Sequence, residues 1–388
     1  MLDWGDCLMD LLICNVKLLD VNTGLEHTAD VAVNTGRIAQ VFSAGNGNRD
    51  GARSLIDAHG DYLFPGFIDF HTHLFAHGST FGMDADRLLT AGVTFAVDMG
   101  TSGWVNYPAL YNCDLATKII GHRAYLNLSP VGQPGKGINE PLGREIIDAG
   151  KMEELIARYP GQIAGIKVRI SRSIVGKLGL EPLRLGIKIG ERLGLPVCVH
   201  TTDPPASASD VADLLRPGDI YSHMYHGKGN TILDAKGKVQ ERVRLAQQRG
   251  IIMELGNGRV NFNFPVAEQA VACGFWPDIL SSDSTQATFH REKAMWDLPT
   301  VMSKFLYLGM PLEKVLRAVT ETPAACLGLA DRIGKVQEGY DADLVLCHFK
   351  REPVEFLDSD GNFRTGEWKI IPKVTLLKGQ VVYQASSL

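Results

Sequence analysis

Pro65-Gly66-Phe67-Ile68-Asp69-Phe70-His71-Thr72-His73 is the stretch on which the reading of this chain turns. An apolar run ending in two histidines one residue apart reads as a buried strand. Alternation predicts Asp69, His71 and His73 on one face and Ile68, Phe70 and Thr72 on the other. Two imidazoles ~7 Å apart along one face, at a strand's C-terminal end, can chelate one metal ion. A lone His-x-His is weak, because a hydrogen-bonded core histidine explains it as well, so its position in the chain has to decide. Outward from it, apolar strand-like runs end near His71, Asp98, Asn127, Lys167, His200, His223, Glu254 and Asp283. Helical patterns lie between several of them, at Glu181–Leu193, Val239–Gln248 and Pro265–Cys273. Eight strands alternating with helices over roughly 230 residues predict an α/β protein of the (β/α)8 TIM-barrel type, with His71 ending the first strand.

Both ends have a different texture. Leu11–Leu19 and Val31–Val33 are apolar runs separated by turn signals such as Asn34-Thr35-Gly36, and Asp343–Cys347 and Lys373–Leu377 repeat the pattern near the C-terminus. Two β-rich ends around an α/β middle predict a small β-sandwich domain built from both termini. The expected division is 1–62 with 335–388 for that domain and 63–334 for the barrel.

At 388 residues, with 45% hydrophobic and 21% charged side chains, the chain has enough apolar surface for a large core, which excludes disorder. A net charge of −5 without a Lys/Arg cluster argues against a nucleic-acid surface. No apolar run approaches the ~20 residues that cross a bilayer, so no membrane association is expected. The start, Met1-Leu2-Asp3-Trp4-Gly5-Asp6, is acidic where a secretory signal is positive, and a cytoplasmic protein is expected. Cysteines at 7, 14, 113, 198, 273, 326 and 347 form no Cys-x-x-Cys and read as small buried hydrophobes.

The chemistry gathers at strand ends. Lys167 closes Ile163-Ala164-Gly165-Ile166-Lys167, where a buried ammonium needs a partner. His200, His223 and Asp283 close three later runs. Each has an ordinary structural explanation alone: a snorkelling lysine, a satisfied core histidine, a helix-capping aspartate. Five such positions at strand ends of one barrel are poorly explained as unrelated accidents.

With these residues in view, the chain resembles the amidohydrolase superfamily of metal-dependent hydrolases. The likeness covers nearly the whole chain, from the Pro65–His73 entry through the strand-end ligands to Gly334-Lys335-Val336-Gln337-Glu338-Gly339-Tyr340-Asp341-Ala342-Asp343-Leu344-Val345. Within it the chain looks closest to a deacetylase-like branch, some of whose members carry dihydroorotase or adenine-deaminase labels. The resemblance implies two divalent metal ions, zinc being the choice on availability. His71, His73 and Asp283 would hold one ion, and His200 and His223 the other. Lys167 would bridge them as a carbamate formed with carbon dioxide. It further implies that a metal-bridged hydroxide attacks the substrate carbonyl while Asp283 carries the proton.

The implied substrate is a small acylated carboxylate, either an N-acyl amino acid or an O-acyl 2-hydroxy acid. Dihydroorotase-like relatives place a carboxylate-gripping arginine two residues after His-x-His; Phe75 stands there instead, against cyclic-amide hydrolysis. Deamination stays open, because the same attack works on an amidine carbon, and a metal-free scaffold is the remote alternative. Arg169, His226 and Asn257 are the expected substrate contacts. Asn230 and His77 are further loop candidates, Trp104–Tyr107 could form an apolar wall, and His290 beside Arg291 and Glu292 could belong to a closing loop. His122 reads as structural. Asn257 and Thr285 replace histidines found at those places in relatives. A small-molecule substrate is expected; oligomeric state is open, although barrels of this size often form homo-oligomers.

Overall fold

The structure is a computed structural model that describes residues 9–135, 137–290 and 297–386. Cys7, the acidic start and the Arg291–Glu292 pair lie outside the described residues. Five strands open the chain: β1 (Leu11–Leu19), β2 (Glu26–Asn34), β3 (Arg37–Ser43), β4 (Leu55–Asp57) and β5 (Tyr62–Pro65). Seven follow in the middle: β6 (Phe67–Thr72), β7 (Val93–Met99), β8 (Gly121–Asn127), β9 (Ile163–Arg169), β10 (Val197–His200), β11 (Ile220–Ser222) and β12 (Ile252–Glu254). Three close it: β13 (Leu344–Leu357), β14 (Phe363–Leu377) and β15 (Gln380–Gln384).

The middle strands form one curled parallel sheet in sequential order from β6 to β12. Segment 279–284 lies between its two edges. It bridges β12 at Glu254–Ile279 and β6 at Thr72–Ser284, both parallel. Helices cover the outside, where Val168, Val197, Val199 and Tyr221 of the sheet pack with Leu183, Val211 and Val243. Helix Glu181–Leu193 has the limits its pattern gives. The helix expected from Val239 starts at Glu241, because the Gln240 N–H still pairs with the Ile232 carbonyl. The Pro265–Cys273 pattern becomes Phe264–Ala272, capped by Asn263, whose side chain accepts from the Val266 N–H.

Strand β6 departs from simple alternation. Its register with β7 shifts between Asp69 and Thr72, which pair with Ala96 and Asp98. Phe70 packs inside the curled sheet with Met99, Tyr125, Cys198 and Ile220. Its neighbour His71 meets Ser222, which shares a strand face with Ile220. A bulge therefore turns two consecutive residues inward and re-aims the second. The expectation that Asp69 shares the face of His71 is overturned. Asp69 instead accepts from Ser282, at its backbone N–H (3.0 Å) and its hydroxyl.

The two ends of the chain build a second, largely antiparallel sheet of order β15-β14-β13-β5-β1-β2-β3, with β4 beside β1. They join where β13 pairs with β5, Leu344 opposite Pro65. Strands β13 and β14 run well beyond the expected cores at 343–347 and 373–377, as a long hairpin. Its tip reaches the curled sheet's loops: Ser359 N–H donates to the Phe262 carbonyl at 3.0 Å and Asn263 Nδ2 to Asp360 at 2.7 Å. Among the described residues no helix is long and apolar enough to cross a membrane.

Asp358 is the buried knot of that tip. It accepts from the Phe264 N–H (2.8 Å), the Asp360 N–H (2.9 Å), and the Asn362 N–H and Nδ2 (both 2.8 Å). Asp358→Ala strands these donors and is expected to cost about 1–3 kcal/mol in folding stability. Chemical denaturation measures it; an unchanged midpoint would mean that water replaces the carboxylate without loss.

Candidate metal centre

Strand ends and the loops just after them deliver the site. His71 comes from β6 and His73 from one residue past it, Lys167 from β9, His200 from β10, His223 from one residue past β11 and Asp283 from segment 279–284. All six are buried, Lys167 and His223 to about 1% exposure. His223 and Asp283 both have positive φ, 65° and 54°. Left-handed backbone is uncommon outside glycine and concentrates at functional sites.

Ligand atoms of His71, His223 and Asp283 lie within 4.8 Å of one another. Asp283 Oδ1 is 3.2 Å from His73 Nε2 and 3.5 Å from His71 Nε2. The His200 and His223 rings are 4.3 Å apart, and His71 and His223 5.0 Å. The opposite ring nitrogens are occupied. His223 Nδ1 faces the Gly256 carbonyl at 2.8 Å and must donate there, which leaves an Nε2 lone pair. His71 Nδ1 faces the Glu254 carboxylate at 3.3 Å, and His73 Nδ1 meets Thr101 Oγ1 at 2.7 Å. Glu254 also accepts from Ser222 and Ser281. An imidazole held by a carboxylate behind it is the arrangement that orients metal-binding histidines.

Electrostatics favour the same use. Burial lowers the pKa of His71, with Lys167 adding to the effect. Burial lowers His200 far more, helped by His223, Arg169 and Lys167. Burial, seconded by His71, brings His223 down to about 3. Burial alone would raise Asp283, but His71, His73 and His223 outweigh it and hold the carboxylate below its usual range. Neutral imidazoles and an ionised carboxylate are the forms in which these residues ligate cations. Among the described residues, Lys167 Nζ has one polar contact, Cys198 Sγ at 3.6 Å, too weak to offset a buried ammonium.

The outer candidates fare differently. Arg169 lies beside His200, its register partner, and its Nη1 donates to Gln133 (3.1 Å) and to the buried Glu140. Asn257 accepts from Lys304 Nζ at 2.9 Å. His226 is fully buried, which pushes its pKa down to about 4. Among the described residues, Arg169 Nε, His226 Nε2 and Asn257 Nδ2 are buried without a hydrogen-bond partner. Asn230 instead ties down the 204–206 turn, His77 pairs with Asp114 at the surface, and His122 bonds the Ile120 carbonyl. Sequence reading gave Glu254 no role, although its strand-end place among the candidate ligands was the available signal. Thr101, Thr202 and Asn261, all in loops, carried no pattern.

A family model described as "Amidohydrolase family" matches residues 187–382. A curated protein named "Deacetylase" from Agrobacterium fabrum is 33% identical over 91% of this chain and 86% of its own length. The chain belongs to the amidohydrolase family. It is therefore a hydrolytic enzyme. A solved structure described as an adenine deaminase aligns with a TM-score of 0.88 and 30% identity, covering 97% of this chain and all of that one. Another, described as a dihydroorotase, aligns with a TM-score of 0.86 and 29% identity over 97% and 99%.

Histidines with folded pKa below the unfolded value of ~6.5 bind fewer protons folded than unfolded, so stability falls as pH drops below that value. Glu254, which burial would raise but His71 and its neighbours bring to about 2, adds its loss only below about pH 4.3. Metal-free amidohydrolase is expected to lose unfolding free energy between pH 7 and 5, by up to about 1.4 kcal/mol per pH unit for each such histidine. Stability that stays flat across that interval would show the imidazoles charged in the folded protein.

Proposed function

We propose that this enzyme cleaves the amide or ester bond of a small acylated carboxylate, an N-acyl amino acid or an O-acyl 2-hydroxy acid, with two divalent metal ions, zinc by preference. The observation that carries the reading is the convergence of three oriented imidazoles on one ionised carboxylate beside a buried lysine. The curated relative's deacetylase name supports acyl hydrolysis. We take the curled sheet with segment 279–284 as a complete (β/α)8 barrel over 63–334, and residues 1–62 with 335–388 as a β-sandwich domain.

The donor set fits the metals: His71, His73 and Asp283 for one ion, His200 and His223 for the other. Lys167 would help to hold both ions as a carbamate, which would turn a poorly partnered buried cation into an anion with two ligand oxygens. Bound divalent ions supply a water of lowered pKa and polarise the acyl carbonyl. Asp283 accepts the attacking water's proton and returns it to the departing nitrogen or oxygen. Arg169 offers its remaining guanidinium N–H groups to the substrate carboxylate. Asn257 and His226 supply further polar contacts, each having a buried atom without a partner among the described residues. A second reading, deamination, is favoured by the likeness to an adenine deaminase.

Metal-loaded enzyme is expected to turn over N-acyl amino acids or O-acyl hydroxy acids, and Asp283→Asn to lower kcat at least about 10³-fold with the fold retained. Turnover of aminopurines alone would replace hydrolysis of acyl groups with deamination. Lys167→Ala is expected to lose one or both metals, read as metal per chain, with partial recovery of activity by short carboxylic acids. Unchanged metal content would show that Lys167 bridges nothing.

A further inference from the structure

The outer oxygen of Asp283 is held by a residue outside the candidate ligand set. Asn261 Nδ2 donates to Asp283 Oδ2 at 2.7 Å, and Thr202 Oγ1 donates to Asn261 Oδ1 at 2.7 Å. All three side chains are buried, at 4%, 5% and 8% exposure for Asn261, Thr202 and Asp283. The amide orientation follows from the partners. An ionised carboxylate only accepts, so the NH2 group must face Asp283, leaving the amide oxygen for the threonine hydroxyl. Oδ1, meanwhile, faces His73 and His71. The two oxygens thus have different neighbours.

The loop that carries Asn261 is fixed along its length. At one end the Gly256 carbonyl receives His223 Nδ1. At Gly258 the backbone passes so close that a Cβ would lie 2.2 Å from Asp283 Oδ2, and φ there is +49°. At the other end Phe262 and Asn263 are tied to the β13–β14 hairpin tip. Asn261 therefore meets Asp283 from a fixed direction, and rotation of the carboxylate breaks a buried charge-assisted hydrogen bond.

We propose that Asn261 is a positioning residue that assigns the two Asp283 oxygens to different tasks, with Thr202 fixing its amide. Oδ1 is kept for the ion shared with His71 and His73. Oδ2 is held outward by Asn261, with its other lone pair available to carry the proton. The assignment rests on the proposed role of Asp283 as ligand and proton carrier, and extends it to two residues outside the metal shell.

The test compares metal-loaded parent enzyme with Asn261→Ala, Thr202→Val and Thr202→Ser, using two readouts. The first is kcat and KM on the best acylated substrate. The second is metal retention against a competing chelator, which needs no turnover. Asn261→Ala is expected to lower kcat about 10- to 100-fold with KM changed less than about 3-fold, and to weaken metal retention about 10-fold. Thr202→Val is expected to shift both in the same direction, Thr202→Ser to restore them, and the double variant to be no worse than Asn261→Ala. Parental kcat and metal retention in Asn261→Ala overturn the proposal, as does Thr202→Ser failing like Thr202→Val, which marks a packing role. Should the parent hydrolyse no acylated substrate, the functional reading fails by itself. Chelator competition then still decides whether Asn261 holds Asp283.

Discussion

The backbone bond from the Asp283 N–H to the His71 carbonyl, 2.8 Å long, is the contact on which the site depends. With its partner, His73 N–H to the Ser284 carbonyl at 2.9 Å, it lays segment 279–284 against β6. The other side of that segment pairs with the loop after β12, through Leu255, Asn257 and Gly258. Residues more than two hundred positions apart are thereby placed side by side. Without this seam His71 and His73 lose the Asp283 carboxylate, and the loop that receives His223 Nδ1 loses its backbone pairing. Many buried groups rely on one line of main-chain bonds, so the chamber forms as a unit.

The candidate ligands were legible because they obey one rule: a polar side chain ending an apolar strand in a regular strand–helix alternation. His71, Lys167, His200, His223 and Asp283 all announce themselves that way. The bulge in β6 did not, since nothing in Phe67–His73 shows that Phe70 and His71 turn inward together; that depends on pairing with β7. Glu254 had the right position, but an acidic strand end suggests a ligand as readily as a support behind one. Asn261 and Thr202 lie in loops without periodicity, and only the folded chain shows what their amide and hydroxyl reach. The hairpin tip was hidden for a different reason. Charged residues such as Lys350, Arg351 and Glu355 mask the length of β13 and β14, which stand partly in solvent.

That hairpin explains why the two sheets are built into one molecule. Strand β5 hands the chain directly to β6, two residues apart, and β13 returns alongside β5. The first strand of the curled sheet, β6, is thus anchored at its N-terminal end by the second sheet. The same sheet's hairpin holds the loop after β12 at the opposite end, where the candidate ligands lie. Helix Leu298–Tyr307 lies between them, with Ser303 Oγ accepting from the Ile370 N–H at 3.1 Å. The loop that supplies Gly256, Gly258 and Asn261 is braced from outside, where a loop alone would be mobile.

Selection among scissile bonds falls to the mouth, because the candidate ligand set alone does not choose. Structures described as an adenine deaminase and a dihydroorotase share this fold at TM-scores of 0.88 and 0.86, while the curated relative is named a deacetylase. Here the mouth carries Arg169 bound to a buried Glu140, whose carboxyl burial pushes up while Arg169 pulls it down. The pair offers less positive charge to an incoming anion than a free guanidinium. On the proposed function, a substrate carboxylate would gain by sharing Arg169 with Glu140 and lose by facing Glu140 alone, which would restrict its angle of approach. Phe75 is packed in the core, so on the proposed function Arg169 would be left to set that orientation.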